Sequence, residues 1–292
     1  MRKPTRRTET GRGERVLPGV WRLRLPLPWP AVPHCNAWAL AHGDGLVLVD
    51  CGMDQPGSLR DLERALEPAG FTLEGVRLLV CTHAHLDHCG QAAAVQARSG
   101  AELWLHPRHE HYSTGHGGLD VARELVPGVV VDSDAGAWEV HETPGHAPSH
   151  VVLHQPRERL LLSGDHVLGR TSLYFDHGWT PDPVAEFLSS LDLVERLDVR
   201  LTLSGHGRPF IDLRGHVAAT RALVRERLAA VLDALRAGAA SPPELLVAVY
   251  GESPASDMAG WLLTKLQCYL EHLERKGAAK RLDGPPERWA PA

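Results

Sequence analysis

A buried strand that ends in a cluster of histidines is the feature that most constrains how this chain can fold. The apolar run VRLLV at residues 76–80 predicts a core strand, and CTHAHLDHCGQ follows it at once. This stretch places His83, His85, Asp87 and His88 close together. Because a strand that only fills a core needs no such polar side chains at its end, the cluster predicts a site that holds a cation.

The spacing within this cluster suits two metal ions better than one. His83 and His85 are two residues apart at a strand end, so their side chains point the same way. The chain must then turn, which lets Asp87 and His88 face a second point, and Gly90 allows the backbone to leave without a Cβ clash. Imidazole nitrogens and carboxylates favour zinc, and iron or manganese also fit this donor set.

Composition and cysteine usage place the chain among ordinary globular proteins. Its 292 residues are 43% hydrophobic, and no run approaches the roughly 18 apolar residues that a membrane span needs. The 5 cysteines show no CxxC spacing, which predicts neither a disulfide framework nor a thiolate zinc site. Residues 1–15 are basic and hydrophilic and lack the apolar stretch of a secretory signal. We therefore predict a disordered tail there and a cytoplasmic protein.

The pattern of strands and helices divides the chain into two parts. Strand and helix signals are mixed through residues 16–214, which predicts a layered α/β domain. From residue 215 onward the sequence predicts three helices followed by a short hairpin, an order that resembles a winged helix-turn-helix. We predict a catalytic domain over residues 16–214 and a small winged-helix-like domain over residues 215–292. Residues 106–120 are rich in His and Gly and predict a loop.

Together with three later motifs, the histidine cluster resembles the metallo-β-lactamase superfamily. The motifs are ETPGHAPSH, LLLSGDH and LTLSGHGRP, and each follows an apolar run. They contribute His146, Asp165 and His206 in the order in which the family's ligands occur. The resemblance covers residues 16–212 and implies an α/β fold, the four-layer αβ/βα sandwich of that family.

This resemblance also implies the role of each site residue. One metal ion would be bound by His83, His85 and His146, a second by Asp87, His88 and His206, and Asp165 would bridge both. Asp50 matches a family position that does not bind metal itself but orients the residues that do. We interpret His150 and His166, which neighbour ligands, as supporting or surface residues. Five more histidines lie in or near loops that could border the cleft: His106, His109, His111, His116 and His177.

The implied chemistry is metal-assisted hydrolysis. Two divalent cations close together lower the pKa of a shared water towards neutrality. Asp87 can hold the resulting hydroxide by a hydrogen bond, so we assign it a catalytic role besides its role as a ligand. Because the sequence contains no G-x-S-x-G elbow, it predicts hydrolysis without a covalent intermediate.

Charge helps to choose among the superfamily's substrates, which include thioesters, lactones, β-lactams and nucleic acids. Residues 16–215 carry 15 basic and 25 acidic side chains, a poor surface for a polyanion. Residues 216–292 carry 10 basic and 9 acidic side chains, whereas a helix that reads nucleic acid needs an excess of basic residues. We predict hydrolysis of a small ester, thioester or lactone. The alternative is a phosphodiesterase or endoribonuclease of the β-lactamase-like type, because that subgroup resembles this chain in its C-terminal helices.

The last predicted helix indicates what the protein could pack against. Its sequence, MAGWLLTKLQCYLEHLERKG, has an apolar face from Trp261 to Leu273 that must be buried. The candidates to cover it are the main domain and a second copy of the chain. The predicted partners are therefore a small-molecule substrate and, for this face, a homodimer, with no membrane and no nucleic acid expected.

Overall fold

The computed structural model describes residues 10–29, 31–109, 119–170, 172–238 and 240–292. The first sheet contains β1 Arg12–Leu17, β2 Val20–Trp29, β3 Val32–His42, β4 Gly45–Val49, β5 Val76–Val80, β6 Glu102–Leu105 and β7 Val121–Glu124. The second contains β8 Val130–Ser133, β9 Gly136–Glu142, β10 Val151–Gln155, β11 Leu160–Gly164 and β12 Leu201–Ser204. A terminal hairpin consists of β13 Ala279–Leu282 and β14 Arg288–Pro291. The α-helices are α1 Ser58–Leu66, α2 Leu86–Cys89, α3 Ala92–Ser99, α4 Pro183–Glu195, α5 Leu213–Arg236, α6 Pro242–Tyr250 and α7 Ala259–Arg275.

Each sheet combines antiparallel and parallel pairs. In the first sheet the strands lie in chain order; β1 to β4 pair antiparallel, and β4 to β7 pair parallel. Helix α1 lies between β4 and β5 in the chain, because a parallel connection needs a crossover. The second sheet has the order β12-β11-β10-β9-β8, and its parallel pair β11–β12 is connected through α4.

Three apolar clusters hold four layers together. Helices α1 and α3 cover the outer face of the first sheet, with Leu62 and Val95 buried in the same apolar cluster as Leu79. The inner faces of the two sheets meet around Trp38 and Trp138, both of which are fully buried. Helices α4, α5, α6 and α7 cover the outer face of the second sheet. The predicted α/β sandwich is therefore confirmed.

Residues 215–292 form the predicted three helices and hairpin, and they share a core with the second sheet. Leu266, Tyr269 and Leu270 of α7 are buried in the cluster that also contains Val152 of β10. The ring of Tyr269 lies 5.6 Å from that of Phe175. The apolar face of α7 is thus covered by the main part of the same chain. The separate-domain boundary, the winged-helix class and the homodimer stay predictions.

The predicted disordered tail is wrong over its last four residues, because strand β1 begins at Arg12. The backbone N–H of Gly11 donates to Arg24 at 2.6 Å, so pairing with β2 starts even earlier. As an edge strand, β1 leaves the charged side chains of Arg12, Glu14 and Arg15 exposed, which removes the apolar alternation that would have predicted it. Residues 1–9 lie outside the described residues. No helix among those described is long and apolar enough to cross a membrane.

Candidate metal centre

The histidine cluster lies where strand β5 ends, as the sequence predicts. His83 and His85 follow the strand, and the short helix α2 then carries Asp87 and His88. Gly90 ends this turn in close contact with the backbone, since a Cβ there would lie 2.8 Å from the nitrogen of Asp54. The tight turn is what brings the two pairs of side chains to one edge of the sheet.

The other three ligand candidates arrive at the same edge from the second sheet. His146 lies in the loop between β9 and β10, Asp165 directly follows β11, and His206 follows β12. All seven candidates belong to groups whose ligand atoms lie within 4.8 Å of one another. The structure therefore brings together every residue that the sequence proposes as a metal ligand.

Three imidazoles converge in the first group. His83 Nε2 and His146 Nε2 each lie 3.0 Å from His85 Nδ1. All three side chains are buried. Three ring nitrogens aimed at one another would repel if each kept its lone pair unshared, so their arrangement favours a shared cation.

Carboxylates and imidazoles alternate in the second group. Asp87 Oδ2 lies 3.5 Å from His88 Nε2 and 3.3 Å from His206 Nε2. Asp165 Oδ2 lies 3.0 Å from His206 Nε2 and 3.7 Å from His146 Nε2, so this carboxylate reaches both groups. That position agrees with the bridging role that the resemblance implies.

Two buried atoms show that the protein side of this centre is incomplete. His88 Nε2 and Asp165 Oδ1 are inaccessible to solvent, and they lie 3.5 Å apart without a well-formed hydrogen bond to each other or to any other residue described. Leaving such groups unpaired costs about 1–3 kcal/mol each. Gly205 keeps the space beside them open, because a Cβ there would lie 2.2 Å from Asp165 Oδ1. The residues present therefore fit divalent metal ions.

The outer nitrogens of the ligand histidines are all held by acceptors. Asp50 Oδ2 is 2.9 Å from His88 Nδ1, and Thr82 Oγ1 is 3.0 Å from His83 Nδ1. Backbone carbonyls hold the other two Nδ1 atoms: Tyr174 binds His146 at 3.2 Å, and His34 binds His206 at 2.9 Å. Metal-binding histidines usually donate their second ring N–H in this way, which fixes the tautomer that leaves the inner nitrogen free.

Asp176 completes this outer set and is the residue that sequence reasoning missed. Its Oδ2 lies 2.9 Å from His85 Nε2, and both side chains are buried. It lies in the irregular segment between β11 and α4, at no spacing that marks a ligand, so no sequence signal identifies it. Asp50, in contrast, matches its predicted place behind the site, where it accepts hydrogen bonds from Thr82 as well as His88.

The pKa values of the centre reflect the close contact of buried imidazoles with buried carboxylates. Burial lowers the pKa of His146 to about 4, which keeps this ring neutral and available as a ligand. Burial also lowers the pKa of His206, but Asp165 and Asp87 outweigh it and raise the value to about 10. Burial raises the pKa of Asp87, yet His88 and His206 lower it to about 2. The two carboxylates therefore favour positive charge beside them, which a bound cation would supply.

The remaining predicted histidines have supporting or distant roles. His150 Nε2 accepts from the backbone N–H of Asp165 at 3.0 Å and so orients that ligand. His166 instead packs against Phe187, with ring centroids 4.8 Å apart. His106 contacts Glu142, His109 contacts the carbonyl of His106, and His177 contacts Glu271 of α7. His111 and His116 lie outside the described residues.

A cleft of about 670 Å³ opens above the centre. His85, Asp87, His146, Asp165 and His206 lie on its floor. Its walls include an aromatic group and two basic residues: Trp29, Tyr174, Trp261, Arg170 and Lys265. The ring of Trp261, from α7, lies 5.2 Å from that of Trp29 and 6.4 Å from that of Tyr174. The cleft can therefore hold a small molecule that has both apolar and anionic parts.

Comparisons with known proteins agree with this fold and centre. Residues 31–206 match the model of the metallo-beta-lactamase superfamily. The probable metallo-hydrolase YqjP of Bacillus subtilis is 26% identical over 251 residues, which cover 71% of this chain and 75% of that protein. The hydroxyacylglutathione hydrolase of Anaeromyxobacter dehalogenans is 32% identical over 225 residues, covering 74% and 79%. A beta-lactamase domain protein from Burkholderia ambifaria has a crystal structure with a TM-score of 0.84 and 28% identity, covering 98% of this chain and 97% of that one.

The chain therefore belongs to the metallo-β-lactamase superfamily. It is a metallo-hydrolase of that superfamily, and its His and Asp clusters bind divalent metal.

Proposed function

We propose that this protein is a binuclear zinc hydrolase that cleaves a small thioester carrying an anionic group. The observation that carries the proposal is the position of the metal centre, whose two ligand groups form the floor of a cleft with aromatic and basic walls. Oxygen esters and lactones present the same reacting carbonyl and are the related substrates that this centre could accept.

The proposed ligand sets follow the two convergent groups. His83, His85 and His146 would hold one ion, Asp87, His88 and His206 the other, and Asp165 both. When bound, the ions supply a water of lowered pKa and polarise the scissile carbonyl. The carboxylate of Asp87 would accept a hydrogen bond from the attacking water and orient it. Asp50 and Asp176 keep His88 and His85 in the required tautomers.

The residues of the cleft walls and the name of one relative both support a thioester as the substrate. Trp29, Tyr174 and Trp261 offer apolar surface to one part of the substrate, whereas Arg170 and Lys265 suit a carboxylate or phosphate on another part. The relative from Anaeromyxobacter dehalogenans bears the name hydroxyacylglutathione hydrolase, and an acylglutathione is a thioester. Net negative charge over residues 16–215 disfavours a long polyanion such as RNA.

The test is a matched substrate panel with the zinc-loaded protein. One acyl group is presented as a thioester with an anionic leaving group, as a thioester with a neutral leaving group, and as an oxygen ester. A lactone, an aryl phosphodiester and single-stranded RNA complete the panel. We expect the highest kcat/KM for the anionic thioester, and chelation should abolish it. Faster cleavage of the phosphodiester or RNA would refute the proposal and favour the endoribonuclease alternative.

Asp87→Asn is the control for this panel. It removes a charge from the centre without changing the cleft walls, so activity in the metal-loaded variant measures how much of the hydrolysis does not depend on the carboxylate of Asp87. Zinc content is measured on the same samples. Activity that persists after complete removal of metal would contradict the binuclear mechanism.

A further inference from the structure

A second cluster of metal-ligating side chains lies on the second sheet. Glu139 and His141 belong to β9, and His154 belongs to β10. Glu139 pairs directly with His154, and His141 pairs with Val152, so all these side chains lie on the same face of the sheet. We call Glu139, His141 and His154 the β9–β10 cluster.

The β9–β10 cluster is separate from the catalytic centre. His150, which orients Asp165, precedes strand β10, and His154 lies four residues further along. At the rise of an extended strand this separation is about 13 Å. Val152 lies between them in the core under the helices, so the two groups of histidines share no ligand.

Distances within the cluster are those of a site that could close around an ion. Glu139 Oε2 lies 3.8 Å from His141 Nε2 and 4.0 Å from His154 Nδ1. Tetrahedral ligands at metal distances of about 2.0–2.1 Å are about 3.4 Å apart, so the carboxylate must move by roughly half an ångström. The side chain of Glu139 is 52% exposed, which leaves it free to make this adjustment.

Hydrogen bonding leaves the inner nitrogens available. His154 Nε2 lies 3.1 Å from the backbone carbonyl of Asp198, which fixes the N–H on that nitrogen and leaves the Nδ1 lone pair facing Glu139. His141 Nε2 is inaccessible to solvent and has no hydrogen-bond partner in the described part of the chain. Burial, and then the proximity of His154, lower the pKa of His141, while Glu139 opposes this; the net direction favours a neutral ring.

We propose that Glu139, His141 and His154 form a further site for one transition-metal ion, with Zn²⁺ as the expected occupant. Two imidazoles and one carboxylate are a donor set that zinc accepts with a fourth position left to water. Cu²⁺ and Ni²⁺ bind such nitrogen and oxygen donors as well. Because the ligands come from both neighbouring strands, and His154 is tied to the loop before β12, the ion fastens these elements together.

The test compares the number of zinc ions bound per chain in the wild type with the number bound in variants that lack one proposed ligand. Apo protein is dialysed against buffered Zn²⁺, and the zinc per chain is measured for the wild type, Glu139→Gln and His141→Ala. We expect the wild type to bind one ion per chain more than either variant at the same free Zn²⁺ concentration. Glu142→Gln is the matched control, because Glu142 is an exposed glutamate on the same strand but on the opposite face, and it should keep the wild-type count.

A second measurement locates the ion directly. Crystals grown with Zn²⁺ should show an anomalous scattering peak between Glu139, His141 and His154 in addition to those at the catalytic centre. Hydrolytic activity should be unchanged in Glu139→Gln, which separates this site from the catalytic one. Equal zinc counts in wild type and variants, together with no peak at this position, would overturn the proposal whatever the substrate of the enzyme proves to be.

Discussion

Replacing Asp176 tests whether the outer hydrogen bonds of the ligand histidines control metal binding. Asp176→Ala removes the acceptor 2.9 Å from His85 Nε2 and leaves that N–H buried, since the side chain of His85 is only 11% exposed. Losing an outer partner of this kind typically weakens metal binding by about 10–100-fold, or about 1.4–2.7 kcal/mol. Because both side chains of this contact are largely buried, we expect the upper half of that range.

The assay is a titration of apo protein with zinc in competition with a chromophoric chelator. In Asp176→Ala, the dissociation constant of the ion held by His83, His85 and His146 should rise, whereas that of the ion held with His88 should change little. Asp176→Asn keeps an oxygen acceptor and loses only the charge, so its effect should be about tenfold or less.

The control for both variants is Asp44→Ala, which removes a carboxylate that is 86% exposed and pairs with the surface residue Arg77. It should leave both zinc affinities unchanged. If Asp176→Ala bound zinc within twofold of the wild type while remaining folded, the tautomer and orientation of His85 would not depend on Asp176. The hydrogen bond to His85 Nε2 would then not control the zinc affinity of this ligand group.

Three further predictions concern catalysis, substrate charge and the C-terminal helices. Asp87→Asn should lower kcat by at least about 100-fold at full metal occupancy, because it removes the carboxylate that orients the water. A near-normal kcat would show that Asp87 does not orient the water. Burial, and then Arg227, lower the pKa of Lys265 to about 8, so this side chain loses its charge as the pH rises through that value. The KM of an anionic substrate should therefore increase between about pH 7 and pH 9, while the KM of a neutral analogue stays constant. In Lys265→Gln the KM of the anionic substrate should no longer change with pH. If it still did, the pH dependence would belong to another group. Truncation after residue 214 should give aggregated protein in size-exclusion chromatography, because it exposes several apolar side chains. The burial of each contributes about 1.5–3 kcal/mol to a total free energy of unfolding of about 5–15 kcal/mol. A soluble, folded fragment would contradict the shared core.

The sequence predicts much of the metal centre because its ligands lie in short motifs at strand ends. His83 to His88 occupy one turn, and His146, Asp165 and His206 each follow a strand that was recognisable from its apolar residues. Strand ends on one edge of a sandwich converge, so motif order alone brings these side chains together. Asp176 could not be found in this way, because its position depends on the path of an irregular segment rather than on the periodicity of a strand.

Strand β1 and the surface that covers helix α7 were also beyond prediction. Strand β1 pairs through its backbone at an exposed edge, so its charged side chains carry no pattern. The apolar face of α7 was predicted from its helical spacing, but the surface that covers it could not be, because any apolar surface satisfies the same spacing. The placement of Trp261 and Lys265 in the cleft follows only from the packed structure.

The two halves of helix α7 have different roles, and this difference is useful for engineering. The end of α7 is anchored to the segment before α4, where His272 contacts Asp182 at 2.9 Å and Arg275 contacts the carbonyl of Pro181 at 2.7 Å. Its opposite half supplies Trp261 and Lys265 to the cleft and contributes none of the proposed metal ligands. Libraries randomised at these two positions would therefore retarget the enzyme to other leaving groups while the hydrolytic machinery remained constant.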